Sequence, residues 1–575
     1  SYLGLGFILV LLLVLLPAGA TASNGENPES VLDQMTLEEK IGQLLMVKAL
    51  EGSDGEPAER TKGLIQELGA GSVIFYSLPG PKSATKFTNK LQKWAMNSPS
   101  GVPLLVGADL EYGVKANVGG KTTLLPHQMG IGATGEPKLA RRAAAITARE
   151  GKSMGINWNF APTADLNTNP NNPVIGVRSF GSDPETVSSF VESAVEGYQS
   201  NEMVATLKHY PGHGNTSTDS HYGLPSVTYS RNELDLHLKP FKAGIDAGAD
   251  AVMTAHILVD SIDSEKPATT SKKLITDLLR DKQGFEGVVV TDALNMGAIE
   301  ENFGKAEAAV NAINAGVDVV MSAGNYWDAL EIRDGLLKAV DSGEISVSSV
   351  NKSVKRVLEL KEEYGLLNDY SLKDPAEAVK MAGNQENRRV ADELALEAVT
   401  LVRDEKDLIP VTEEDTEILL VGVKDSVHLF EDELKERLPG LEISVYRTPS
   451  SNDYNDWSPS SAGIEEAAEL ASNSDKVILL TYSSDQLPEA QIKMTQELMG
   501  ANDDTIVIAE GLPYDYRNFP EVPAYMATYS YNRWNSPRAG NELMTEAAAK
   551  VLSGEAAAGG ELPVSLENKN DKSKR

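Results

Sequence analysis

At 575 residues the chain is too long for one hydrophobic core, so two or more domains are expected. With 41% hydrophobic residues it is globular, and a formal charge of −32 excludes nucleic acid as a partner, because phosphate is repelled by so acidic a surface. The absence of cysteine excludes disulfides, thiolate metal sites and thiol nucleophiles.

The first segment is an unbroken apolar run from Phe7 to Leu16, followed by Pro17 and then Ala18-Gly19-Ala20-Thr21-Ala22-Ser23. A short apolar run before small residues reads as a secretory signal over residues 1–22, cleaved near Ala20 or Ala22. The run is short for a stable span, so membrane contact is expected only through this segment if it stays uncleaved. A secreted or cell-wall-associated protein is therefore expected. Thr36 then opens a helix, with Glu39 three residues later completing a capping box.

For some 320 residues strand-like and helix-like segments alternate. Candidate strands are 72–76, 104–108, 156–160, 204–207, 251–254, 288–291 and 317–321, with amphipathic helices such as Pro137 to Met154 and Thr186 to Gln199 between them. Apolar strands alternating with helices imply a parallel sheet covered on both faces. Seven or eight such units predict a (β/α)8 barrel over residues 27–366. A helix from Ser346 to Tyr364 ends it, and a polar linker is expected over 367–385. A second α/β pattern, 386–567, has strands at 418–422, 476–481, 505–508 and 524–528, which predicts a sandwich of helices on a sheet. The tail 568–575 is rich in Asn, Asp, Lys and Ser and is expected to be disordered.

Barrel chemistry sits where strands end and βα loops begin. Asp109 and Glu111 follow one candidate strand, Asp165 and the loop to Arg178 another, Lys208 and His209 a third, His256 a fourth, and Asp292 with Asn295 a fifth. The loop after Leu207 is long, polar and glycine-containing, and holds three of the seven histidines. Asp219 and His221 are two residues apart there, so a bend brings carboxylate and imidazole together. A histidine so held exchanges protons near neutral pH. The plain alternatives are a surface loop with incidental histidines, and Asp292 as a helix cap. The coincidence over five strand ends favours a catalytic rim for a neutral polyhydroxylated substrate. No phosphate loop or His-Glu-x-x-His pattern occurs, and His127, His237, His256 and His428 are scattered, so no metal and no cofactor is expected. His237 and His428 are assigned ordinary structural roles. Asp515, Arg517 and the run Tyr529-Ser530-Tyr531-Asn532 are candidates for contact with the barrel or substrate, against the plainer reading of packing.

Four motifs carry a family resemblance: 35–43, Met-Thr-Leu-Glu-Glu-Lys-Ile-Gly-Gln; 169–180, from Asn169 through Arg178-Ser179-Phe180; the loop 208–225; and Thr291-Asp292-Ala293-Leu294-Asn295-Met296. The chain resembles family 3 glycoside hydrolases, and within them the bacterial β-N-acetylhexosaminidase branch in its two-domain form. The resemblance implies Asp292 as a nucleophile forming a covalent glycosyl-enzyme, and His221, held by Asp219, as acid/base. It implies that Asp109, Arg178, Lys208 and His209 grip the sugar hydroxyls and the acetamido group. His213, midway along the loop, is read as shaping it. The family's Asp-Gln-Glu-Gly-Gly is here Asp109-Leu110-Glu111-Tyr112-Gly113, so Leu110 and Tyr112 alter the loop beside the sugar's non-reducing end. The expected activity is retaining exo-hydrolysis of terminal β-linked N-acetylglucosamine from muropeptides or related glycans, by a monomer. The alternatives are a β-N-acetylglucosaminide phosphorylase, a β-glucosidase or xylosidase, and a secreted glycan-binding protein without activity.

Overall fold

The structure is a computed structural model that describes residues 27–566 apart from 53–54, 369, 416, 449–457, 483–484 and 532–540. The expected signal segment 1–22, the tail 568–575 and Asn532 lie outside the described residues. Among the described residues no helix is long and apolar enough to cross a membrane.

The first domain is built on eight parallel strands: β1 (Leu45–Lys48), β2 (Ser72–Ile74), β3 (Leu105–Ala108), β4 (Trp158–Asn159), β5 (Val204–Tyr210), β6 (Ala251–Thr254), β7 (Val288–Thr291) and β8 (Val320–Ser322). They run in the order β8-β1-β2-β3-β4-β5-β6-β7. A parallel bridge between Val290 and Val319 joins the ends of that order and closes the barrel. Side-chain alternation along each strand divides the core in two. Met46, Ile74, Leu105, Trp158, Phe160, Val204, Met253, Val288, Val290 and Met321 fill one cluster. Their neighbours Val47, Val73, Val106, Ala205, Leu207, Val252 and Val289 pack into the larger cluster with the surrounding helices. Strands buried on both faces read as continuous apolar runs, and that is why they were legible.

One barrel strand is missing from the sequence reading. Leu45-Met46-Val47-Lys48 is β1, and it follows the helix Leu37–Gln43 with one residue between, with no turn signal to separate them. The capping box itself is present: Thr36 accepts from the Glu39 backbone, and Glu39 accepts from the Thr36 N–H at 2.7 Å.

The second domain has six strands: β9 (Thr400–Asp404), β10 (Glu417–Val423), β11 (Glu442–Thr448), β12 (Lys476–Thr481), β13 (Thr505–Ala509) and β14 (Ala524–Ala527). Their order is β9-β14-β13-β12-β10-β11, parallel except for the β9–β14 pair. β9 and β11 are the two edges and were not read from the sequence. β11 alternates weakly and is half-exposed, while β9 continues the apolar pattern of the helix Gln385–Ala398. The expected linker also differs. It contains a helix, Pro375–Met381, capped by Asp374, and the Asn89 side chain on the barrel bonds both the N–H and the C=O of Lys373 at 2.8 Å.

The two domains share an apolar core. Met129, Ala133 and Val177 of the first domain lie in one cluster with Leu419, Val421, Leu479, Val507, Tyr514 and Tyr529 of the second. Tyr514 Oη accepts from Asn167 Nδ2 at 3.1 Å, and Ser182 N donates to the Pro563 carbonyl.

Candidate active site

A cavity of about 510 Å³ opens at the C-terminal ends of the barrel strands. Asp109, Arg178, Lys208, His209, His221 and Asp292 all line it, with Glu111, Tyr112 and Tyr76. Asp219 stands one step behind, accepting from His221 Nδ1 at 2.7 Å and from the His221 N–H at 2.9 Å.

Asp292 directly follows β7, so a rigid strand fixes its backbone. It is not a helix cap: the next helix, Gly297–Glu300, is preceded by Met296, and Asp292 Oδ1 accepts from Ala293 N at 2.7 Å. Burial pushes its carboxyl pKa up, but His256, His209 and His221 and the Ala293 N–H outweigh burial and leave the net shift downward. The group is thus held as a carboxylate. His256 supports it from beneath. It is fully buried, with Nε2 donating to the Ala293 carbonyl at 3.0 Å and Nδ1 against Thr269 Oγ1 at 2.7 Å.

Opposite lies an ion network that the sequence reading only half assembled. Glu111 accepts from Arg178 Nη2 at 2.8 Å and pairs with Lys208 Nζ at 2.6 Å. Lys208 Nζ also donates to Asp109 Oδ1 at 2.9 Å. Burial raises the Glu111 pKa, yet Arg178 and Lys208 pull it well below the usual carboxylate range. Arg178 Nη1 donates to the Val174 carbonyl, and Nη2 also reaches His209 Nε2 at 3.3 Å. With Arg178 Nε also donating to Glu111 Oε2 at 3.0 Å, one N–H remains on Arg178 and one on Lys208 among the described residues. Glu111 is a cavity-lining residue that the sequence reading left without a role. Its place two residues beyond Asp109, on the same strand end, was the available signal.

His209 is oriented from behind. Its Nδ1 lies 2.8 Å from Asp165 Oδ2, and Arg178 has only hydrogens to offer Nε2, so the neutral ring carries its proton on Nδ1. Asp165, wholly buried, also accepts from the His213 N–H at 2.6 Å. Lys208 and His209 are strand neighbours that both face the cavity, and the ladder to β6 shifts register between Leu207 and Tyr210. The peptide between them is cis.

The loop that carries His221 is tied at its base. Gly214 packs so closely that a Cβ would lie 1.9 Å from the Leu166 carbonyl oxygen, so only glycine fits. Asn172 Nδ2 donates to the carbonyls of His213 and Thr216 at 2.9 and 3.1 Å. His213 is buried and bonds Thr216 Oγ1 at 2.8 Å and Ser220 Oγ at 2.9 Å, so it braces the loop and does not line the cavity. Burial, with His209 adding to it, lowers its pKa to about 4, which keeps it neutral.

Tyr112 takes a place on the cavity wall, its ring 4.5 Å from that of the buried His127. Burial, Glu111 and Asp109 push its phenol up to about 12. The second-domain candidates pack. Asp515 is buried and bonds Thr481 and Tyr525; Arg517 donates to the carbonyls of Ser565 and Leu566; Tyr529 lies in the shared core. His237 is buried beside Tyr229, and His428 sits on the surface 3.7 Å from Asp432.

Set beside known proteins, residues 36–360 match the glycosyl hydrolase family 3 N-terminal domain. Beta-hexosaminidase A of Pseudoalteromonas piscicida is 34% identical over 368 residues, which covers 60% of this chain and 61% of that protein. A beta-N-acetylglucosaminidase/beta-glucosidase of Cellulomonas fimi is 28% identical over 569 residues, covering 93% of this chain and 94% of the relative. The chain thus spans less than two thirds of the first relative and nearly all of the second. Among solved structures, a glycoside hydrolase family 3 beta-N-acetylglucosaminidase from Paenibacillus sp. str. FPU-7 superposes with a TM-score of 0.81 at 32% identity, over 92% of this chain and 99% of that one. A matched domain covering more than half the sequence, on a closed barrel with carboxylates and histidines at its strand ends, places the chain in glycosyl hydrolase family 3.

Proposed function

We propose that the chain is a retaining exo-β-N-acetylglucosaminidase, and that Asp292 and His221 do the chemistry. The observation that carries this reading is His221, held by Asp219, lining one cavity with a half-buried, ionised Asp292. Retaining hydrolysis needs a carboxylate on one side of the anomeric carbon and a proton donor at the leaving oxygen. Asp292 attacks the anomeric carbon as the glycosidic bond breaks, and His221 gives its proton to the departing oxygen. His221 then takes a proton from water, which attacks the glycosyl–Asp292 ester and frees the sugar. Asp219 orients the imidazole and stabilises its cation, as an orienting carboxylate does in a Ser-His-Asp triad. Asp109 and the remaining N–H groups of Arg178 and Lys208 bind hydroxyls and the acetamido group. The names of the relatives, beta-hexosaminidase and beta-N-acetylglucosaminidase, support this sugar preference. The apolar run and Ala-x-Ala pattern near the N-terminus support export, with cell-wall muropeptides as the natural substrate class.

The test is a panel of β-linked aryl glycosides of N-acetylglucosamine, N-acetylgalactosamine, glucose and xylose, each with and without phosphate. Fastest turnover on N-acetylglucosamine, with free sugar as product in both buffers, is expected. Sugar-1-phosphate in the phosphate arm would instead mark a phosphorylase, a reading favoured by one feature: an imidazole acid/base repels an incoming phosphate less than a carboxylate does.

A further inference from the structure

The loop that carries His221 is held by a backbone docking contact. The Gly297 N–H donates to the His221 carbonyl at 3.1 Å, and the Ala298 N–H donates to the Ser220 carbonyl at 3.2 Å. Both donors open the short helix Gly297–Glu300, which follows Asp292 by five residues on the β7 connection. The segment that bears the nucleophile is therefore also the surface on which the loop with the proton donor lands.

A side chain at that surface fits only if the loop backs away by a few tenths of an ångström. A Cβ on Gly297 would lie 3.0 Å from the His221 carbonyl oxygen, 3.1 Å from the Tyr222 carbonyl carbon and 3.2 Å from the Tyr222 Cα. All three are backbone atoms of the loop. The glycine's backbone is outside the left-handed region, so alanine is conformationally permitted and a substitution acts only through space. Gly297 itself does not line the cavity. The base of the loop is fixed separately, through Asn172 and the His213–Thr216 bond, and His213 also holds Ser220 Oγ, so a push at Gly297 acts on the segment from His221 onward.

We propose that Gly297 is a positioning residue for proton transfer. Its bare Cα lets the loop seat close enough for His221 to reach the leaving oxygen, and any side chain there holds the donor back while leaving Asp292 in place. This deepens the assignment of His221 and rests on it.

The experiment compares Gly297→Ala, Gly297→Ser and Gly297→Val with wild type and with His221→Ala, on two β-N-acetylglucosaminides. One carries a dinitrophenyl leaving group, which departs without a proton, and the other a methyl group, which needs one. General acid catalysis is worth roughly 10²–10⁴-fold, so kcat/KM on the methyl glycoside should fall on the order of 10-fold for alanine and toward the His221→Ala level for valine. On the dinitrophenyl glycoside kcat/KM should stay within about threefold, since no proton is required there. Alanine and serine keep the test available if valine impairs folding, which melting curves report. Equal losses on both glycosides, or no loss on either, would overturn the role of Gly297 while leaving a leaving-group-sensitive His221→Ala intact. If His221→Ala itself loses equally on both, the acid/base assignment fails instead.

Discussion

Asp292 and Glu111 are largely enclosed carboxylates kept charged by different means, and each difference is measurable. Asp292 has no cation in direct contact among the described residues; three histidines and one backbone N–H lower its pKa against the effect of burial. Asp292→Ala should lower kcat by on the order of 10⁴-fold or more, the scale at which removal of a nucleophile acts. Residual turnover near the wild-type level in a purified sample would refute the assignment. Glu111 is bonded directly to two cations, and Glu111→Ala leaves Arg178 buried without a carboxylate and Lys208 with Asp109 alone, at a cost of about 3–5 kcal/mol. The folded-state pKa of Glu111 lies below its ordinary value of 4.5, so its contribution is complete above that value and is lost as pH falls through the depressed one. The gap in melting temperature between wild type and variant should therefore be widest above pH 5 and narrow as acid is added.

At the scale of elements, the site depends on two segments that lack regular structure and are held by side chains reaching into backbone. The turn around Asn169–Ile175 is organised by Asn172, whose Oδ1 accepts from Val174 N and Ile175 N while its amide holds the base of the His221 loop. Asn172→Ala removes both sets of bonds and exposes buried carbonyls to no partner, at about 1–3 kcal/mol. Loss should appear in stability and, because the loop base loosens, in turnover of glycosides with poor leaving groups; unchanged kinetics would mean that the loop is held by other contacts. Asn172 was legible only as part of a motif. Its role depends on the chain returning 41 to 44 residues later to the same place.

The whole molecule is two sheets with one shared core between them, and the second domain bears on the first-domain site through Val177. That residue sits in the shared cluster while its neighbour Arg178 lines the cavity, and Gln128 Nε2 holds the Arg178 carbonyl at 2.6 Å. The second domain also carries a buried acid that works against it. Glu510 accepts from Ser426 at Oε1, and its Oε2 has no partner among the described residues. Burial raises its pKa to about 8. A group whose pKa is raised on folding contributes its full stability below the ordinary value of 4.5 and loses it as pH rises through about 8. Glu510→Gln does not titrate, so the variant should gain on wild type in melting temperature between pH 4.5 and 8 and hold that gain above it. A gap that stays flat with pH would show that Glu510 is ionised in the folded protein.

The sequence by itself determined what local chemistry writes into a segment. The continuous apolar strands, the capping box at Thr36, and the polar residues at five strand ends are all local signals, and from them followed a barrel with a catalytic rim. Where one apolar pattern ran into the next, as at β1 and β9, no turn residue marked the boundary and the strand was lost. Edge strand β11, half-exposed and charged, gave too weak an alternation. Pairings across distance belonged to the tertiary structure. That Glu111 joins Arg178 and Lys208, that His209 leans on Asp165, and that Gly297 receives the His221 loop depend on segments 44 to 97 residues apart being brought together by barrel closure. A residue type states what chemistry is available; only the folded sheet decides which partner stands within 3 Å of it.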